Sequence, residues 1–135
     1  FAPQMESAAS LVEACPNVMF VLQHAGMLED LSDKGCTEWR AGLDRLSRYP
    51  NVAAKLSGLG TFIHRNDPDH IASVVHDTVA LFGPERCLFG SNFPIEKLWT
   101  SYSDLVFAHR AAVAPLGPAA GRAVFHDTAT QIYRL

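Results

Sequence analysis

The sequence predicts an α/β fold built as part of a parallel β/α barrel, and three observations carry that expectation. Three apolar runs each end in polar groups and then lead towards a helical stretch: Gln23-His24-Ala25-Gly26, Lys55-Leu56-Ser57-Gly58 and Gly90-Ser91-Asn92-Phe93-Pro94. They recur at a near-constant interval, 34 residues from Val18 to Val52 and 35 from Val52 to Cys87. Strands that finish in functional groups and feed helices are the repeating unit of such a barrel, whose sites gather at the C-terminal strand ends. The third observation is length: the chain has 135 residues, about half of the roughly 250 that eight units need. It opens at Phe1-Ala2-Pro3-Gln4 without Met and reads as a piece of something longer.

Each element has a local reason. Met5, Ala8, Ala9, Val12 and Cys15 recur at steps of three and four, placing them on one helix face. Pro16-Asn17 ends that helix, and the unbroken apolar run Val18 to Leu22 suits a strand covered on both faces. Residues 27–38 read as a loop, after which Trp39, Leu43 and Leu46 mark a second helix closed by Tyr49-Pro50-Asn51. The second strand is Val52 to Ser57, and Gly58-Leu59-Gly60 releases the chain into a loop reaching Asn66. Asp67-Pro68 then starts a helix, an acidic cap followed by Pro where its missing N–H costs nothing. Ile71, Val74, Val75, Thr78, Val79 and Phe82 form its apolar face, and Gly83-Pro84 stops it. Arg86 to Gly90 is the third strand, and two helices follow at about residues 102–114 and 118–133.

Strands alternating with helices imply parallel pairing and right-handed crossovers. Three strands alone leave two unpaired edges. Either the remainder of a barrel covers them, or the fold is a small three-layer sandwich. A second copy of the chain could serve as that neighbour, so the isolated segment is expected to be poorly soluble or oligomeric.

Composition excludes several classes. A formal charge of −3 offers no basic field for phosphate backbones, so no nucleic acid is expected. No apolar run approaches the roughly 20 residues needed to cross a bilayer, so no membrane span is expected. Cys15, Cys36 and Cys87 are odd in number and widely spaced, which fits free thiols in a reducing compartment and a cytoplasmic location.

Six residues stand where chemistry is expected. His24 lies where its strand gives out, and an imidazole there can ligate a metal, exchange a proton or polarise a carbonyl; the alternative is a hydrogen-bonded core histidine. Lys55 and Ser57 leave the same strand face and would line a substrate mouth, unless Lys55 snorkels outward between helices. Asn92 can orient water or substrate but cannot act as a general base, and it could simply cap a turn. His64 and Arg65 follow the second strand on the mouth side, where Arg suits a substrate carboxylate; both could equally be solvated loop residues. His70, His76, His109 and His126 lack a helical i, i+4 partner and are assigned to packing or surface, and Trp39 and Trp99 to the core.

Leu22-Gln23-His24-Ala25-Gly26, Asn51 to Gly58, Phe82-Gly83-Pro84-Glu85-Arg86, Leu88 to Pro94 and the ending Phe125 to Leu135 together resemble one family. It is the amidohydrolase-related TIM-barrel hydrolases, in the branch containing sugar lactonases and the pyrone dicarboxylate lactonase. The resemblance implies that residues 1–135 are the C-terminal half of a distorted (β/α)8 TIM barrel that hydrolyses a lactone or related small carbonyl compound. It implies catalysis with or without a divalent metal, zinc or manganese, and His24 as a metal ligand or carbonyl polariser. Two departures stand out. The His-x-His that the family places on its first strand is absent from this sequence, and Asn92 occupies the last-strand position where the best-understood members carry Asp. A decarboxylase or other carbon–carbon lyase of the same superfamily, and a degenerate barrel without activity, are the alternatives the resemblance leaves.

Overall fold

The computed structural model describes all of residues 1–135. In chain order it contains α1 (Met5–Ala14), β1 (Phe20–Leu22), α2 (Asp33–Ser47), β2 (Val52–Leu56), α3 (Pro68–Phe82), β3 (Cys87–Phe89), α4 (Tyr102–Val113), α5 (Pro118–Arg122) and α6 (Thr128–Tyr133). A π-helical turn, Ala123–Asp127, joins α5 to α6, so the expected last helix runs on with a widened middle.

The strands form one parallel sheet in the order β1-β2-β3. Phe20 pairs with Val52 and Val21 with Ala53, while Lys55 pairs with Leu88 and Leu56 with Phe89. Alternation along β2 divides its side chains between two faces. Val52, Ala54 and Leu56 join the principal core cluster, which takes Val12 from α1, Trp39, Leu43 and Leu46 from α2, Ile71 and Val75 from α3, and Ala108 and Val113 from α4. The four long helices therefore pack on one side of the sheet, as in a barrel wall. A sandwich would need helices on both.

Several boundaries differ from expectation. Helix α2 begins at Asp33, inside the stretch read as loop, because the Ser32 hydroxyl accepts from Gly35 N and caps it. Its first turn is polar, so no apolar period announced it. The first strand starts at Phe20; Val18 and Met19 are exposed, and the Asn51 carboxamide donates to Val18 O at 2.9 Å and Cys15 O at 3.3 Å, holding them in a turn. Strand β1 is only partly buried, so the double cover expected from its apolar run is not met within this chain. Beside it lies an apolar groove of about 190 Å³ bordered by Leu11, Val12, Phe20 and Leu22. The α3 cap is as expected: Asp67 Oδ1 accepts from Asp69 N and His70 N, both at 3.1 Å.

Arg86, just before β3, ties the start of β2 to the ends of α2 and α3. Its Nε donates to Phe82 O at 2.9 Å and its Nη2 to Ser47 O at 2.9 Å. Its Nη1 donates to Tyr49 O at 2.9 Å and Val52 O at 3.2 Å. One planar guanidinium thus satisfies carbonyls at the end of α2, the start of β2 and the end of α3. No helix is long and apolar enough to cross a membrane.

Candidate active site at the strand ends

Each strand releases its chain through a residue in the left-handed region. His24 follows β1 at φ 55°, Gly58 follows β2 at φ 63°, and Asn92 follows β3 at φ 50°. For two of the three a side chain must tolerate that conformation, which is uncommon outside glycine although His and Asn adopt it more readily than most residues. The His24 turn is held from α2: buried Trp39 donates its indole N–H to Ala25 O at 2.7 Å.

The three turns meet. His24 Nδ1 lies 2.7 Å from Ser57 Oγ. A Cβ on Gly58 would stand 2.7 Å from His24 Nδ1 and 3.1 Å from Asn92 Nδ2. Only glycine leaves room there, for steric reasons added to its positive φ. His24, Ser57 and Asn92 therefore share one rim of a parallel sheet.

Lys55 leaves the same face as Ser57, opposite Val52, Ala54 and Leu56. Gly90 lies two residues beyond Leu88, the β3 partner of Lys55. A Cβ on Gly90 would collide with Lys55 Cε and stand 3.3 Å from its Cδ and 3.2 Å from Ser57 Cβ. The lysine stem thus leans along β3 towards the rim through space that Gly90 leaves empty, and its ammonium joins no ion pair.

The two loop residues part company. His64 is exposed and stacks on Trp99, ring centroids 5.1 Å apart at 32°. Arg65 turns to the α3 cap, its Nε 3.0 Å from Asp67 Oδ2, so its guanidinium is engaged away from the His24–Ser57 pair. That bond and the two backbone donors hold the Asp67 carboxyl below the usual range, the His70 backbone N–H contributing most.

Sequence reading missed the polar cluster beneath Asn92. Glu96 is wholly buried and accepts Thr61 Oγ1 at 2.9 Å on Oε1 and Trp99 Nε1 at 2.8 Å on Oε2. Asn92 Nδ2 in turn donates to Thr61 Oγ1 at 3.4 Å. Trp99 is only partly buried and belongs to this cluster, not to the core as expected. The available signal was Gly58-Leu59-Gly60-Thr61: a Cβ on Gly60 would stand 2.8 Å from Glu96 Oε2 and 2.7 Å from Arg65 O, and such glycines mark close backbone approach. Of the helix histidines, His109 is buried, as packing predicts, with Nδ1 2.9 Å from Leu105 O, while Nε2 has no partner. Burial lowers its pKa below the ordinary histidine value.

No group of three or more His, Cys, Asp or Glu is arranged to hold a metal ion. What the rim offers a cation is one imidazole. With the proton on Nδ1 donated to Ser57, Nε2 keeps its lone pair for a ligand, the usual arrangement of a metal-bound histidine and its orienting partner.

The amidohydrolase family model matches residues 1–135. The L-fucono-1,5-lactonase of Burkholderia multivorans is 35% identical over 126 residues, which cover 85% of this chain and 43% of that protein. The uncharacterized protein y4mH of Sinorhizobium fredii is 35% identical over 132 residues, 98% of this chain and 44% of that one. The crystal structure of a Burkholderia multivorans amidohydrolase with bound zinc superposes with a TM-score of 0.92 at 29% identity, over 100% of this chain and 50% of its own. The chain thus spans about half the length of the relatives it matches, and its three strands and their helices are part of a TIM barrel.

Proposed function

This chain belongs to the amidohydrolase family, and on that premise we propose that it forms the C-terminal half of a barrel that hydrolyses a lactone. The observation that carries the proposal is the convergence of His24, Ser57 and Asn92 on one rim, with His24 Nδ1 2.7 Å from Ser57 Oγ. The lactonase name of one relative and the zinc bound by another support the substrate class and the cofactor class respectively.

Ser57 holds the imidazole ring through Nδ1 and leaves Nε2 free, where it would polarise the reacting carbonyl or ligate a divalent ion, zinc or manganese. Such an ion, when bound, polarises a carbonyl and acidifies water, and His24 would supply one of its ligands. The Asn92 carboxamide orients water or substrate and takes no proton itself. The Lys55 ammonium, unpaired and leaning to the rim, meets negative charge as it develops on the carbonyl oxygen. His64 borders the mouth on the loop after β2, and Arg65 marks its outer edge. The apolar groove beside β1 is the place where another part of the barrel, or a second copy of the chain, would complete the wall.

Asn92 itself favours a second reading, a barrel that keeps the fold without hydrolysis, because a carboxamide cannot serve as base. One experiment separates them. The natural full-length protein, shown to be folded, is assayed on a panel of sugar-acid and dicarboxylate lactones with and without chelator. Turnover lost on chelation is expected; no turnover on any member rejects the lactonase proposal.

A further inference from the structure

Thr61 has one hydroxyl hydrogen, and the Glu96 carboxylate takes it. Oε1 accepts that hydrogen at 2.9 Å, while Oε2 is held by the Trp99 indole, a donor with no acceptor capacity. The Thr61 oxygen can then only accept, so whatever Asn92 turns towards it must be a donor. The Asn92 amide nitrogen fills that role at 3.4 Å, and the carbonyl oxygen of the same group is left for the mouth. We propose that Glu96 is a positioning residue, fixing through Thr61 which end of the Asn92 carboxamide faces the mouth. The buried carboxylate sits one turn past Asn92, with Glu96 N bonded to Asn92 O at 3.2 Å, and imposes a one-way hydrogen-bond chain, Asn92 to Thr61 to Glu96. For activity this rests on the hydrolytic reading above; for stability it stands alone.

The chain has a polarity, so its reversal is testable. Asn92→Asp alone puts two carboxylates on one hydroxyl hydrogen. Glu96→Gln alone lets the new amide donate to Thr61 while its carbonyl keeps Trp99, so the Thr61 hydrogen passes to Asn92, whose carboxamide must turn its oxygen inward and its nitrogen to the mouth. Together they restore a complete chain running the other way: the new carboxylate at position 92 accepts from Thr61, Thr61 accepts from the new amide at 96, and that residue's carbonyl accepts from Trp99. In the natural full-length protein Asn92→Asp is expected to lower Tm by about 4 °C or more, Glu96→Gln alone to change it little because Asn92 can turn, and the pair to recover most of the Asn92→Asp loss. Losses that simply add overturn the proposal. If Asn92→Asp alone does not fold, recovery of folding by the double variant is the expected result, and failure of both is fatal to it. In a Thr61→Val background the coupling should vanish; its persistence also overturns the chain. On a lactone the protein turns over, Glu96→Gln should reduce kcat about tenfold with KM changed by less than twofold, and an equal loss in both would contradict orientation as its role. Absence of any lactone turnover sinks the hydrolytic reading, and the Tm cycle still decides this one.

Discussion

The His24 imidazole and the Ser57 hydroxyl, 33 residues apart in sequence, meet at 2.7 Å across β1 and β2. A hydroxyl can serve either ring tautomer, but its value to a site is in holding the ring plane and leaving Nε2 outward. Groups that orient a metal-bound or catalytic histidine typically change affinity or activity by about 10–100-fold when removed. Ser57→Ala is therefore expected to lower kcat/KM within that range, while far-ultraviolet circular dichroism and Tm stay close to those of the natural protein. An unchanged rate would mean that Ser57 merely satisfies a half-buried histidine.

Gly58 separates His24 from Asn92. Its φ of 63° and the 2.7 Å that a Cβ would leave to His24 Nδ1 oppose any side chain. Gly58→Ala should cost about 1–3 kcal/mol by backbone strain alone, and in addition push His24 off Ser57. The check is a Tm loss accompanied by a rate loss larger than that of Ser57→Ala.

That convergence was legible because it follows from backbone logic. Parallel strands at equal spacing put their ends on one side, and polar residues after apolar runs mark which end carries the reactive side chains. The Asp67-Pro68 start of α3 was legible for the same local reason. The Glu96 cluster was not, because a lone acid in Ile95–Leu98 looks like surface until a loop from 35 residues earlier folds over it. Burial of a charge is a tertiary fact. Helix α2 hid its first turn for the opposite reason: Asp33, Lys34 and Glu38 face solvent and leave no apolar period to detect.

Arg86 is the second residue whose role emerged only in three dimensions. Its fork donates to four carbonyls from three elements, a geometry an ammonium cannot copy. Arg86→Lys should remove at least two of these bonds and leave carbonyls unpaired, destabilising by about 2–4 kcal/mol. Denaturant unfolding would show this as a lower midpoint with little change in m-value. Because Arg86 sits at the strand starts, opposite the rim, activity per folded molecule should be unaffected.

The buried His109 makes stability depend on pH. Its pKa is lowered, chiefly by burial, although the Leu105 carbonyl and the Glu96 charge pull it upward. The unfolded chain titrates near the ordinary value of about 6.5, so below that pH it binds a proton the native state refuses. Native stability is then complete above about pH 6.5 and falls as pH drops below it. Half-buried His70 is lowered in the same sense, mainly by burial, and adds to the effect. Carboxylates held low, such as Asp67 and Asp127, act only in the more acidic range below about 4. Thermal unfolding between pH 7.5 and 5.0 should therefore show Tm falling steadily with acidification. The slope should flatten in His109→Gln, which cannot take up a proton; an equal slope in that variant would place the pH dependence elsewhere.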